Sequence, residues 1–361
     1  VTVPDRWEQG SSFPAILPAE GQACRFPAAH QLYGSGRQAL RALLALGRRE
    51  YGWRLLHVPA FYCPEVVESV ADLLPVRRYD AGPFGPQATP AADTGEAVVT
   101  VSYFGEAPIV PTSGKAQVIV DVTHDPIADW PTETPVDFVF ASLRKTLPLP
   151  DGGVVWSPRG LPLPPAAPPG VDHLATAGRA LTAMVLKRAY LDGADVDKTG
   201  YLDLFAAAEA GLRSPTVSGI SDYSRQALHV LPAAELRRRR IANANHLCDR
   251  LRGLPGITVH ARTFGLVLEF DSAAQRDATR QGLIERRVYP AVLWTLPPEV
   301  TPPRQLDLSR RLLFLHTDIR WSDADLDRVD ETIRQLASRS ITEDRVLHQP
   351  VPGNGVAVAA T

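Results

Sequence analysis

Lysine is scarce in this chain of 361 residues: of 38 basic side chains only Lys115, Lys145, Lys187 and Lys198 are lysines. Cysteine is scarcer still. Cys24, Cys63 and Cys248 are odd in number, far apart and form no CxxC pair, which argues against a disulfide framework and against a zinc site and leaves no metal expected. No apolar run reaches the roughly 18 to 20 residues of a membrane span. The first ten residues lack the basic stretch and apolar core of a secretory signal. The formal net charge of -2 provides no basic excess for nucleic acid or an anionic membrane surface. The expectation is a cytoplasmic protein with three reduced thiols, long enough for two domains.

What is present alternates. Residues 35–46 read as a helix, with Ser35 and Gln38 at capping-box spacing and Ala39, Leu40, Leu43 and Leu44 on one apolar face. Short apolar strands are expected at 55–58, 76–79, 97–103, 118–121, 138–141 and 154–156, with a helix at 66–74. Such strands separated by crossovers indicate an α/β fold with a mostly parallel sheet covered on both faces. The proline-rich stretch 158–170 reads as a surface connection. Two helices broken near Gly193 and Gly200 are expected over 171–212, then one long helix over 224–251 containing Arg237-Arg238-Arg239-Arg240, a solvated face or an interdomain contact. From residue 257 the pattern becomes that of a small α+β domain: strands at 257–260, 265–270 and 312–316, helices at 273–286 and 322–338, and an irregular segment around Trp294. The expected organisation is an N-terminal arm over 1–30, a large domain over 31–240, a small domain over 241–340 and a mobile tail over 341–361.

Three short motifs carry chemistry. Ser35-Gly36-Arg37 opens the first helix, where backbone amides and the helix dipole favour a phosphate; a plain turn with Arg37 in solvent is the alternative. Asp121 closes an apolar strand and His124 follows it. A carboxylate at that place can hold a pyridine nitrogen protonated, or can simply cap the next helix; His124 can reach a cofactor oxygen or be structural. Ser142 precedes Lys145 by three residues, and Gly152-Gly153 follow. A lysine amine and a strand-end carboxylate are the two groups that a pyridoxal 5′-phosphate (PLP) site requires, one for the Schiff base and one for the ring nitrogen. No G-x-G-x-x-G follows the first strand, which argues against a dinucleotide site.

In this order the motifs resemble the fold type I PLP enzymes, the aspartate aminotransferase-like superfamily. Within it the chain looks most like the DegT/DnrJ/EryC1/StrS aminotransferases, from about Tyr33 to Leu336. Ser35 to Leu40, Val58 to Cys63, Val101 to Gly105 and Tyr289-Pro290 resemble family segments. The resemblance implies PLP on Lys145, Asp121 at the ring nitrogen, Phe61 or Tyr62 stacked on the ring, and Ser35, Gly36, Arg37 and Ser142 around the phosphate. It implies an amino acid donor, glutamate or glutamine, and a small-molecule carbonyl acceptor such as a keto sugar or secondary-metabolite intermediate. It also implies a homodimer with shared sites. Arg225, Arg311 and Arg320 are the candidates for the donor carboxylate.

The departures fall near substrate and partner. Arg37 stands where the family has Thr, and Ser221 where a family Asn reaches the partner subunit's cofactor phosphate. The segment after Tyr289-Pro290 lacks the family's His, and the helical stretch 171–212 is longer than usual. Other fold type I reactions (elimination, desulfuration or replacement, with Cys63 as a candidate thiol) and a non-catalytic sensor remain as alternatives.

Overall fold

The computed structural model describes residues 6–10, 12–16, 24, 26–27, 29–110, 115–130 and 136–347. Seven strands form the large sheet: β1 (His30–Tyr33), β2 (Leu55–Pro59), β3 (Val76–Tyr79), β4 (Glu96–Val101), β5 (Gln117–Asp121), β6 (Phe138–Ser142) and β7 (Gly153–Trp156). Their order is β1-β7-β6-β5-β4-β2-β3. The pairs β2–β3, β2–β4, β4–β5 and β5–β6 are parallel, and β7 runs against both β6 and β1. Neighbouring strand residues face opposite layers. Val118 and Val120 therefore enter one core while Ile119 enters the other, and in β6 Phe138 and Phe140 separate in the same way from Val139 and Ala141.

Helix α1 (Gly36–Glu50) covers one face with Leu40, Leu43 and Leu44. Ser35 is its N-cap and accepts from the Gln38 N–H. Only half of a capping box forms, because the Gln38 carboxamide oxygen instead accepts from the Ser218 N–H at 3.3 Å. The expected helix at 66–74 is a shorter α2 (Pro64–Glu68) followed by turns.

Helices α3 (Val171–Leu191) and α4 (Lys198–Gly211) form a hairpin. The single long helix expected over 224–251 is two, α5 (Asp222–Val230) and α6 (Ala233–Leu251). Pro232 lies at the break, where it lacks an N–H and restrains the residue before it. Helix α6 packs Leu236 into the core of the large sheet and Leu247 and Leu251 into the core of the small one. The arginine run is used residue by residue. Arg237 pairs with Asp125, Arg238 with Glu235 and Arg239 with Asp323, and Arg240 donates to the Thr146 carbonyl.

The small sheet is antiparallel, in order β10-β9-β8, from β8 (Ile257–Ala261), β9 (Leu266–Phe270) and β10 (Leu312–Leu315). Three helices accompany it: α7 (Ala273–Glu285), α8 (Pro303–Arg311) and α9 (Asp323–Leu347). Sequence patterning missed α8. Helix α9 continues past the expected end at 338 and through the first residues of the expected tail; residues 348–361 lie outside the described residues. No described helix is long and apolar enough to cross a membrane.

Candidate active site

The carboxyl ends of β4, β5 and β6, the loop after β2 and the start of α1 converge on one cavity of about 780 Å³. This is where a parallel sheet gathers ligands. Ser35, Gly36, Arg37, Tyr62, Asp121, His124, Ser142 and Lys145 all line it, so most of the residues picked out in the sequence are brought together.

Backbone contacts explain why these motifs meet. A Cβ on Gly36 would lie 2.8 Å from Ser142 Cβ and 2.9 Å from its nitrogen, and one on Gly153 would lie 2.2 Å from the Ser35 carbonyl oxygen. The start of α1 thus rests directly on the end of β6 and the start of β7. The Gly152 N–H donates to the Gly34 carbonyl and the Leu143 N–H to the Gly152 carbonyl. Asp151, fully buried, accepts from the Ser221 hydroxyl and N–H and from the Ser224 hydroxyl, and bonds His173 Nε2. The Gly-Gly turn after Lys145 is therefore a tight crossing of backbones.

Lys145 ends a short 3-10 turn, Leu143–Lys145, directly after β6. Its side chain is exposed to the cavity, and its amine has no hydrogen-bond or ion-pair partner among the described residues. The neighbouring Arg144 charge, with burial, lowers its pKa from 10.5 to about 8. Asp121 is 5% exposed. Its Oδ2 accepts from the Tyr62 hydroxyl at 2.6 Å and its Oδ1 from the Thr123 N–H at 2.9 Å. Burial pushes its pKa up against those hydrogen bonds; a carboxylate in that position gains from a cationic partner.

His124 Nδ1 accepts from the Phe104 N–H at 3.0 Å, which leaves its proton on Nε2. The ring stacks on Phe264 at 4.2 Å and near Trp294 at 5.9 Å. Burial keeps it neutral, with a pKa of about 3.

Sequence reasoning missed Arg144 and Glu209. The Glu209 carboxylate, on α4, pairs with Arg144 at 2.6 Å and with Arg37 at 3.1 Å. Burial pushes it up, but the charges of Arg144, Lys145 and Arg37 prevail and hold it at about 2. Arg37 also pairs with Glu65 at 3.3 Å. Arg144 Nε is buried without a partner. An arginine next to the lysine was a visible signal. A lone glutamate in the alanine-rich run of α4 was not, because such residues ordinarily face solvent.

No protein-family model matches the sequence, and no curated protein does. Solved structures do match. PseC of Helicobacter pylori, an aminotransferase involved in pseudoaminic acid biosynthesis, aligns with a TM-score of 0.59 at 10% identity over 92% of this chain and all of its own. TlmJ of Streptoalloteichus hindustanus, an aminotransferase, aligns with a TM-score of 0.54 at 15% identity over 87% of this chain and 86% of its own. DesI, solved with its TDP-sugar product, aligns with a TM-score of 0.53 at 17% identity over 89% of this chain and 83% of its own. The chain shares the fold of these three aminotransferases.

Within that fold, several expected residues lie elsewhere. Phe61 is fully buried outside the cavity, packed edge-on against Tyr103 and near Trp294. Its chain neighbour Tyr62, in the same bend after β2, faces the cavity instead. Ser221 caps α5 and donates to Asp151 away from the cavity. None of the three arginines proposed for the donor carboxylate lines it. Arg225 is exposed, Arg311 is engaged by Glu269 and Asp307, and Arg320 by Asp318. The guanidinium groups in the cavity are those of Arg37 and Arg144. Cys63 does line the cavity, and burial raises its thiol pKa, which keeps it protonated and a poor nucleophile.

The side chains fit a pyridoxal phosphate. One end offers the N-terminus of α1, the Ser142 hydroxyl and the Arg144 Nε that lacks a partner; the other offers Asp121; Lys145 stands free in the cavity. Among the described residues no cluster of His, Cys, Asp or Glu could hold a metal ion.

Proposed function

We propose that the protein is a PLP-dependent aminotransferase. It would move an amino group from an amino acid, glutamate or glutamine, to a carbonyl acceptor. The observation that carries this reading is the shared cavity of an unpartnered Lys145 with a lowered pKa and a buried Asp121. The likeness of fold supports it.

When bound, the cofactor supplies an electron sink for the charge left when a substrate carbon loses its proton. The protein's groups divide the remaining work. Ser35, Ser142, Arg37, Arg144 and the first amides of α1 would hold the phosphate. Asp121 would keep the ring nitrogen protonated, and the Tyr62 hydroxyl fixes that carboxylate in place. His124, whose proton lies on Nε2, would donate a hydrogen bond to the cofactor's phenolic oxygen. Lys145 Nζ, basic near neutral pH, takes the proton from the donor carbon and returns it. Across one cycle the donor CH–NH₃⁺ becomes C=O and the acceptor C=O becomes CH–NH₃⁺. One electron pair passes from the donor carbon to the acceptor carbon, and the water consumed in the first half is released in the second.

The reading extends to a homodimer and to a reducing compartment such as the cytoplasm, which suits three free cysteines. Half-reactions test it. L-glutamate alone should convert bound PLP to pyridoxamine phosphate with stoichiometric 2-oxoglutarate. Regeneration of PLP with loss of a donor substituent would show elimination instead.

A further inference from the structure

The α3–α4 hairpin reaches the cavity from outside both sheets. Its two helices pack chiefly on each other, and among the described residues none of their side chains enters the core of either sheet. Polar contacts tie the hairpin down. From α3, His173 bonds Asp151 at 2.8 Å and Lys187 pairs with Glu8 at 3.1 Å. From α4 the ties run to the phosphate end of the cavity. Glu209 accepts from Nη2 of Arg144 and from Nη2 of Arg37, and Arg213, just past α4, pairs with Glu65 at 2.8 Å. Phe205, Ala208 and Leu212 share the Glu209 face of α4 and line the cavity with it.

We infer that the cofactor phosphate and the Glu209 carboxylate compete for the Arg37 and Arg144 guanidiniums, so that binding of the cofactor loosens α4 from the site. The inference rests on the function proposed above and names a regulation of that same site. Carboxylate and phosphate are recognised by the same guanidinium N–H donors. Arg37 gives Nη1 to Glu65 and Nη2 to Glu209, and Arg144 Nη2 lies 2.9 and 2.6 Å from the two Glu209 oxygens. Arg144 Nε has no partner and can take a phosphate oxygen without disturbing these pairs. The Nη2 donors cannot serve both anions without bringing a carboxylate against a phosphate dianion, and like charges at that range repel. Protonation offers Glu209 no escape: burial raises its pKa, but the charges of Arg144, Lys145 and Arg37 hold it at about 2. Competition of this kind is reciprocal, so whatever Glu209 subtracts from phosphate affinity, bound phosphate subtracts from the hold on α4.

The test uses the full chain, freed of cofactor, and two probes that differ only by a phosphate: pyridoxamine 5′-phosphate and pyridoxamine. Calorimetry gives affinity, and hydrogen exchange gives the protection of the α4 amides. In the unaltered protein pyridoxamine 5′-phosphate should speed exchange in α4, and pyridoxamine should not. Glu209→Gln should tighten binding of pyridoxamine 5′-phosphate by about tenfold or more, the scale of close charge pairs. It should leave pyridoxamine binding unchanged and make α4 exchange indifferent to both probes. Glu209→Asp keeps the charge and should keep the weaker affinity. The exchange measurement on the unaltered protein needs no variant, so it decides even where a variant fails to fold. Three results would each overturn the inference and leave the cofactor site standing: α4 exchange that slows or does not change with pyridoxamine 5′-phosphate, a Glu209→Gln variant that binds it no more tightly, or an equal change for both probes. An unaltered protein that does not prefer pyridoxamine 5′-phosphate to pyridoxamine would remove the cofactor site and the inference with it.

Discussion

At position 145 the amine stands beside the Arg144 guanidinium, and that single neighbour does most to set its chemistry. A lysine at 10.5 would be almost wholly protonated at neutral pH, whereas one at about 8 has a usable neutral fraction. The rate at which Lys145 captures added PLP should therefore rise with pH through about 8 and level off above it. Arg144→Met removes the nearby cation and leaves Glu209 paired with Arg37 alone. Both changes favour the charged amine, so the midpoint should move to higher pH; stopped-flow rates against pH decide it, and an unchanged midpoint would remove Arg144 from the account. Asp121→Asn tests the proposed partner of the cofactor's ring nitrogen. It preserves shape and loses charge, and should lower turnover by roughly 10²- to 10³-fold, the usual loss for an electrostatic stabiliser, with the melting temperature reporting on the fold.

The elements that hold these residues are joined by close backbone crossings. Gly153→Ala would place a carbon 2.2 Å from the Ser35 carbonyl oxygen, and backbone yields less readily than a side chain. Its destabilisation should equal or exceed the roughly 1 to 3 kcal/mol of ordinary overpacking, while Ser35→Ala, which removes only a cap, should cost about 1 kcal/mol. Urea titrations of the two variants should keep that order. Much of this layer was legible in the sequence, because caps, glycines and short apolar strands are local signals: the α1 cap at Ser35, and Asp121 and Lys145 each beside the carboxyl end of a strand. What was not legible depended on packing at a distance. Tyr62 rather than Phe61 faces the cavity because of the loop's orientation, and Glu209 arrives from a hairpin whose sequence reads like any solvated helix. Pro232, by contrast, was a local signal that the apolar pattern on either side of it overrode.

Over the whole molecule the arm, the hairpin and the small sheet are bound into one wall around the cavity. Glu8 pairs with Lys187 at 3.1 Å and with Lys198, the Gln9 backbone bonds Arg287 and Tyr289, and Trp7 donates to Asp325 at 2.5 Å. Burial pushes the Glu8 carboxyl up, but Lys198 and Lys187 outweigh it and hold its pKa below 4.5. A depressed folded pKa means the stabilisation is complete above the unfolded value and is lost as pH falls below about 4.5. Glu8→Gln should lower stability by a few kcal/mol at neutral pH, on the order of 3, flatten the acid limb of the stability curve and expose the arm to limited proteolysis. An acid limb identical to that of the unaltered protein would deny the arm this role. All of this wall serves one lysine, and the most direct measurement is made there. Purified protein mixed with PLP is treated with borohydride, digested and mapped by mass. The expected result is a visible absorption band that disappears on reduction, with the pyridoxyl mass on the peptide containing Lys145 and on no other. Protein that stays colourless with added PLP, or a Lys145→Ala variant that acquires the same covalent label, would contradict the account.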